Sequence, residues 1–179
     1  MSVWAARLVC VWLACLPLVA ASQPARPFYL PEEFEEKPWE EQKAMLPPYP
    51  EQRNLIGFDG GPTTDFSFFV DASSVTVDKD QVVRFVLVAR SPAGAVNVSF
   101  EGLRCKTRER KLYAFGRADR TWAEARRVEW QKLSGTERNP YAAVLAEDFF
   151  CPARGIVRTP QEAVDALRRK GHPASATPL

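Results

Sequence analysis

Histidine is nearly absent: the chain of 179 residues holds one, His172, close to its C-terminal end. A Ser-His-acid set is therefore poorly supported, as are histidine-rich metal centres. No Gly-x-Ser-x-Gly, phosphate loop, dinucleotide fingerprint or metal-ligand spacing occurs. A Ser-Lys arrangement stays open, but no pattern marks one. The net charge of +2 is too small to imply nucleic acid or membrane binding by itself. The residues thus offer no catalytic group, no cofactor-binding group and no metal ligand set.

Cysteine is scarce, with four in the chain. Two of them, Cys10 and Cys15, lie in a segment with the build of a secretory signal peptide. Met1 to Arg7 is short and positive, Leu8 to Ala20 is apolar, and Ala20-Ala21-Ser22 offers small residues for cleavage. About 13 apolar residues are too few to span a bilayer as a mature helix, so a retained anchor is the lesser reading. Trp12 and Leu13 fit a lipid-attachment signal at Cys15 poorly. The expectation is an exported protein of the periplasm or cell envelope, with residues 1–22 removed. Cys105 and Cys151 then remain, and in an oxidising compartment they most simply form one disulfide. Two free buried thiols are the alternative. The enclosed loop of about 46 residues would make such a bridge worth roughly 4 kcal/mol in the chain-entropy model.

What the chain does have is a run of strands. Gln81 to Gly116 reads as three consecutive antiparallel strands. Val83, Phe85, Leu87 and Ala89 share one face, and Val82, Arg84, Val86, Val88 and Arg90 the other. Ser91-Pro92-Ala93-Gly94 is a turn. A two- or four-residue loop there sets Phe85 against Phe100, Leu87 against Val98 and Arg84 against Glu101. A second turn near Lys106 to Glu109 sets Phe100 against Phe115, and Gly102 against Tyr113, whose ring Gly102 has room for. Asp65 to Asp71 is a further strand, Ser74 to Val77 a short continuation, and Arg127 to Gln131 an edge candidate.

Helices follow late. Asn139-Pro140 opens one, with Asn as cap, and Cys151-Pro152 closes it. Thr159-Pro160-Gln161-Glu162 is a capping box, and Gly171 a C-terminal cap. Residues 23–50 form an acidic, proline-rich arm in which Pro38 to Met45 could be a short helix. The domain proper is 51–172, and 173–179 is a loose tail.

Charge divides along the chain. Between Arg84 and Arg127 there are eleven basic and four acidic residues; between Gln23 and Asp65 there are four basic and nine acidic. Glu32 to Glu41 either lies against the basic sheet face or its rim through weak, exposed pairs, or belongs to a free arm that keeps the domain soluble. Arg104, Lys106, Arg108, Arg110 and Arg117 form the candidate binding face. Aromatic residues interleave these cations, yet an exported chain rarely meets nucleic acid, so the expected partner is a protein or an anionic envelope component. Asn97-Val98-Ser99 matches a glycosylation acceptor inside a strand.

Several runs resemble a known family: Asn97-Val98-Ser99-Phe100-Glu101-Gly102-Leu103-Arg104-Cys105, Arg110-Lys111-Leu112-Tyr113-Ala114-Phe115-Gly116-Arg117, Trp122, Trp130 and Phe149-Phe150-Cys151. They are similar to the CNP-one-like family of exported proteobacterial proteins, over roughly Trp39 to His172. The resemblance implies a compartment and a fold and brings no activity with it. The strand and cysteine layout also resembles, more distantly, the surface-adhesin protein E group.

The expected fold is α+β: an antiparallel sheet of about five strands packed against two C-terminal helices, with one disulfide. The expected function is a non-enzymatic binding or structural module of the cell envelope. The alternative is a hydrolase of envelope polymers working through paired carboxylates. Two buried carboxylates converging in one cleft would favour the hydrolase.

Overall fold

The computed structural model describes residues 37–136 and 139–175. The signal segment and the first part of the arm, including Glu32 to Glu36, lie outside the described residues.

Strand β1 (Leu55–Phe58) leads to β2 (Ser67–Val77), β3 (Val82–Arg90), β4 (Val96–Arg104), β5 (Glu109–Gly116) and β6 (Trp122–Glu124). These six lie side by side in chain order, every described pairing being antiparallel. A two-residue strand, β7 (Gln131–Lys132), also pairs with β5 and makes seven. The expected antiparallel sheet of about five strands is present, and short edge pieces bring it to seven. Of the Arg127–Gln131 edge candidate only Gln131 pairs.

Two helical segments follow. Helix α1 (Tyr141–Val144) widens into a π-helical stretch, Leu145–Phe150, where Cys151 N–H reaches Ala146 C=O at 2.9 Å. Asn139 does not cap α1: its Oδ1 accepts instead from Thr64 Oγ1 at 2.7 Å. Helix α2 (Pro160–Arg168) is capped as its sequence suggests, with Glu162 N–H donating to Thr159 Oγ1 at 3.1 Å. At its other end Lys170, not Gly171, takes the left-handed conformation, with φ 60°. Lys170 N–H and Gly171 N–H close onto Leu167 and Ala166 carbonyls, a Schellman end.

The β3–β4 register differs from the expected one by a single residue. The loop is five residues, Ser91 to Ala95, not two or four. Gly94 N–H donates to Ser91 C=O, Ser91 N–H to Ala95 C=O, and Gly94 sits at φ +85°, where a side chain would be strained. Phe85 therefore faces Glu101, Val86 faces Phe100, and Arg84 faces Gly102. Arg84 and Glu101, expected as a pair, stand on opposite faces of the sheet.

Between β4 and β5 the register shifts at a bulge after Phe100. Ser99 opposes Phe115 and Glu101 opposes Leu112, so Leu112 and Phe115, three residues apart, share one face. The expected Gly102–Tyr113 proximity is present, although the two are not directly paired. A Cβ on Gly102 would come within 2.9 Å of the Tyr113 ring.

Each sheet face carries a buried apolar cluster. On one, Val83, Phe85 and Leu103 meet Leu145, Phe149, Phe150, Val157, Val164 and Leu167 of the helical layer. Cys105, just past the end of β4, is bonded to Cys151 just past the π-helical stretch, 46 residues on, with Cα atoms 5.4 Å apart. On the other face, Val86, Val88, Val98, Phe100 and Ala114 are covered by Ala44, Tyr49 and Trp122.

Trp122 belongs to β6, whereas Ala44 and Tyr49 belong to a strap, Pro38 to Pro50, laid across this face. The short helix expected there does not form, because its backbone bonds to the sheet instead. Gln42 N–H donates to Asp80 Oδ2 at 2.8 Å, and Arg84 Nη2 donates to Gln42 C=O at 3.0 Å. Trp39 Nε1 donates to Asp80 C=O, and Trp122 Nε1 to Pro47 C=O. Glu41 accepts from Lys111 Nζ at 2.7 Å, Tyr113 OH at 2.9 Å and Trp130 Nε1 at 3.1 Å. Burial opposes the Glu41 charge, but these donors hold its carboxyl below the usual range. Acid does meet base here, through partly buried hydrogen bonds and not through the exposed pairs expected.

Candidate binding cleft

The helical layer covers only part of its sheet face. Toward the Arg90–Val96 end of the β3–β4 hairpin the sheet stays open, and there Phe115 is 49% exposed. A cleft of about 540 Å³ lies here. Leu87, Ala89, Ser99, Glu101, Leu112 and Phe115 form its floor. Phe66, Phe68, Asn139 and Tyr141 form the walls, and Arg110 stands beside them. The alternation of β3 and β4, read in the observed register, puts Leu87, Ser99 and Glu101 together.

Glu101 is the unusual member, at 3% exposure. Ser99 Oγ donates to it at 2.6 Å, and Tyr141 OH lies 3.0 and 3.2 Å from its two oxygens. Arg110 Nη1 donates to Tyr141 OH at 2.6 Å. Tyr141 has one hydroxyl proton. With the guanidinium donating to its oxygen, that proton points to Glu101. The resulting chain runs Arg110, Tyr141, Glu101, Ser99 across β5, α1 and β4. Burial pushes the Glu101 carboxyl above the ordinary carboxylate range. The hydroxyls of Ser99 and Tyr141 and the charge of Arg110 act the other way and do not offset it.

The same face continues into a second groove of about 540 Å³ past the Arg110, Leu112 and Phe115 ridge, toward Arg126, Arg127 and Gln131. Beyond Phe66 and Phe68, which it shares with the first cleft, a larger cleft of about 870 Å³ is lined by Phe58, Asp59, Asp148 and Lys170. Burial, Glu147 and Asp59 raise the Asp148 carboxyl. Asp59 and Asp148 are both exposed, so this is not a buried carboxylate pair.

The five basic residues read from the sequence do not share one face. Arg104 stacks over the Trp39 ring at 3.7 Å, on the strap side. Arg108 pairs with Glu147 of the π-helical stretch at 2.5 Å, on the helical side. Arg110 enters the cleft. Lys106 is exposed in the β4–β5 turn, and Arg117 is exposed past β5, 3.5 Å from Thr121 Oγ1. His172 bonds through Nε2 to Glu162 Oε1 at 3.0 Å and so ties the end of α2 to its beginning. Among the described residues no group of histidine, cysteine and acidic side chains could hold a metal ion. Nor is any helix there long and apolar enough to cross a membrane.

Sequence reasoning missed Glu101, Ser99 and Tyr141 as a set. The available signal was Ser99-Phe100-Glu101, two polar side chains on one face of a strand whose other face is apolar. Under the wrong register that face pairs with Arg84, and the signal reads as an ordinary ion pair.

Residues 34–168 match the CNP1-like family. Among curated proteins the chain is similar to cryptic neisserial protein 1 of Neisseria gonorrhoeae (strain ATCC 700825 / FA 1090). The two are 25% identical over 156 residues, covering 78% of this chain and 76% of that protein. No solved structure matches.

Proposed function

This chain belongs to the CNP1-like family, and we propose that it is an exported, non-enzymatic binding module of the cell envelope whose binding site is the cleft at the open end of the sheet. The observation that carries this reading is the part of the apolar floor left exposed at Phe115. Phe115 and Leu112 are held in view by the β5 bulge, beside the Arg110–Tyr141–Glu101 chain. Apolar clefts with a few convergent polar groups are where ligands bind. The Cys105–Cys151 bond supports an oxidising compartment. The hydrolase alternative needs two carboxylates converging on one bond. In this cleft Glu101 is the one carboxylate among the described residues, and the Asp59–Asp148 pair elsewhere is exposed.

A photo-crosslinking residue at Phe115, in the exported protein, tests the proposal in the envelope. The expected result is a discrete crosslinked species from position 115 and none from Met45, which is 76% exposed on the strap. Crosslinks from position 45 with none from 115 would move the binding surface to the other face.

A further inference from the structure

We infer that the cleft takes amphipathic anions, an apolar body carrying one negative head, and that a proton is taken up at Glu101 when they bind. The inference rests on the cleft being the binding site proposed above. Three titratable groups line it among the described residues: Glu101 from β4, Arg110 from β5 and Tyr141 from α1. From β3 and β2 the neighbours are Leu87, Ala89, Phe66 and Phe68, which carry no charge. The adjoining groove adds Arg126 and Arg127 against Glu124 and Glu129, an even balance.

The asymmetry lies between Arg110 and Glu101. A guanidinium keeps its charge at any accessible pH, whereas a carboxyl can lose its own by taking a proton. The pair can therefore be neutral or positive and never negative. Burial already favours the neutral carboxyl. An anion placed near Arg110 repels the Glu101 charge and favours its protonation further. A cation would need Glu101 ionised, in competition with Arg110. Phe115, 49% exposed, with half-buried Leu112 beside it, accounts for the body of the ligand. On this account the bond network stays intact: Tyr141 keeps its donor role, and the proton from water resides on the Glu101 carboxyl.

Calorimetric titration of the full exported protein tests this with two probes whose own charge is constant over the range, octanesulfonate and octylammonium. Between about pH 8 and pH 5, octanesulfonate should bind about tenfold tighter at the acid end, the gain from one proton coupled over one pH unit. Glu101→Gln should show the tight affinity at every pH, and Arg110→Gln should lose binding. Ser99→Ala removes one donor to the charged form, so the pH midpoint should rise; this variant keeps the test open if Glu101→Gln fails to fold. Octanesulfonate binding that ignores pH overturns the proton coupling. Octylammonium binding that strengthens with pH and disappears in Glu101→Gln overturns the anion assignment. If Phe115→Asp leaves amphiphile binding untouched, the cleft itself is wrong, a failure distinct from the other two. Flotation with phosphatidylglycerol vesicles, abolished by Phe115→Asp, would identify a lipid as the source of the anion. Octanesulfonate binding without flotation would identify a free amphiphile.

Discussion

Arg84 and Asp80 form an ion pair from which water is excluded. Arg84 Nη2 lies 2.6 Å from Asp80 Oδ2, and the two side chains are 2% and 1% exposed. Asp78 adds a second carboxylate at 2.8 Å, and the Tyr113 ring centre lies 5.6 Å from the guanidinium. The same two residues hold the strap through the Gln42 backbone. Burial works against both charges. Hydrogen bonds from Arg84 and the Gln42 backbone nevertheless keep Asp80 below its usual range.

Breaking that pair from one side should therefore be costly. Asp80→Ala leaves a guanidinium buried with less compensation and should lose about 3–5 kcal/mol. The double variant with Arg84→Met should recover part of the loss. Urea denaturation of the two variants and the parent measures both. The sign with pH follows from the depressed Asp80 pKa. Its contribution is present above the unfolded-state value and is lost as pH falls through the lower folded one.

Deleting Gln23 to Pro50 should destabilise the domain by a similar amount and expose Val88, Val98 and Phe100 to water. Because Arg84 and Asp80 are buried and Lys111 and Glu41 largely so, the loss should change little between low and high ionic strength. Denaturation midpoints at two salt concentrations decide this. A loss that vanishes at high salt would mean that exposed pairs hold the strap.

Glu101 has the opposite pH sign to Asp80. Its folded pKa is raised, so its stabilisation is full below the unfolded-state value and is lost as pH rises through the folded one. Glu101→Gln should flatten the decline in melting temperature on the alkaline side of the carboxylate range. A parallel curve for parent and variant would show that the group does not titrate differently on folding.

Loss of the disulfide should lower stability by roughly 2–5 kcal/mol, the usual cost for a small exported domain. Cys105→Ala measured by denaturation gives the figure. Unreduced peptide mapping should recover Cys105 and Cys151 as one linked species, and recovery as free thiols would contradict the bond.

At the end of α2, Thr159→Ala should cost about 1 kcal/mol by removing the donor-acceptor cap to Glu162. Lys170→Gly should gain up to about 1 kcal/mol, since a left-handed residue with a side chain is strained. Thermal melts of the two variants should move in opposite directions.

The sequence by itself determined what short-range chemistry decides. Alternation marked β3, β4 and β5, Thr159 with Glu162 marked the start of α2, and Cys105 and Cys151, the two cysteines outside the expected signal segment, marked their own bond. It did not determine register. Strand β3 carries apolar residues on both faces, one of them mixed with Arg84 and Arg90, so a one-residue slip still leaves valines and leucine to pack on either side. The five-residue loop at Gly94, and the second apolar layer that Ala44, Tyr49 and Trp122 supply, decided it. That choice moved Glu101 from the expected cross-strand pair with Arg84 into the cleft, and left Arg84 to Asp80 and the strap. The strap was equally hidden, because Pro38 to Met45 has weak helical preference and its actual partners, Asp80, Arg84 and Lys111, lie tens of residues away. Contacts over such separations follow from packing in three dimensions, and no local pattern of residues encodes them.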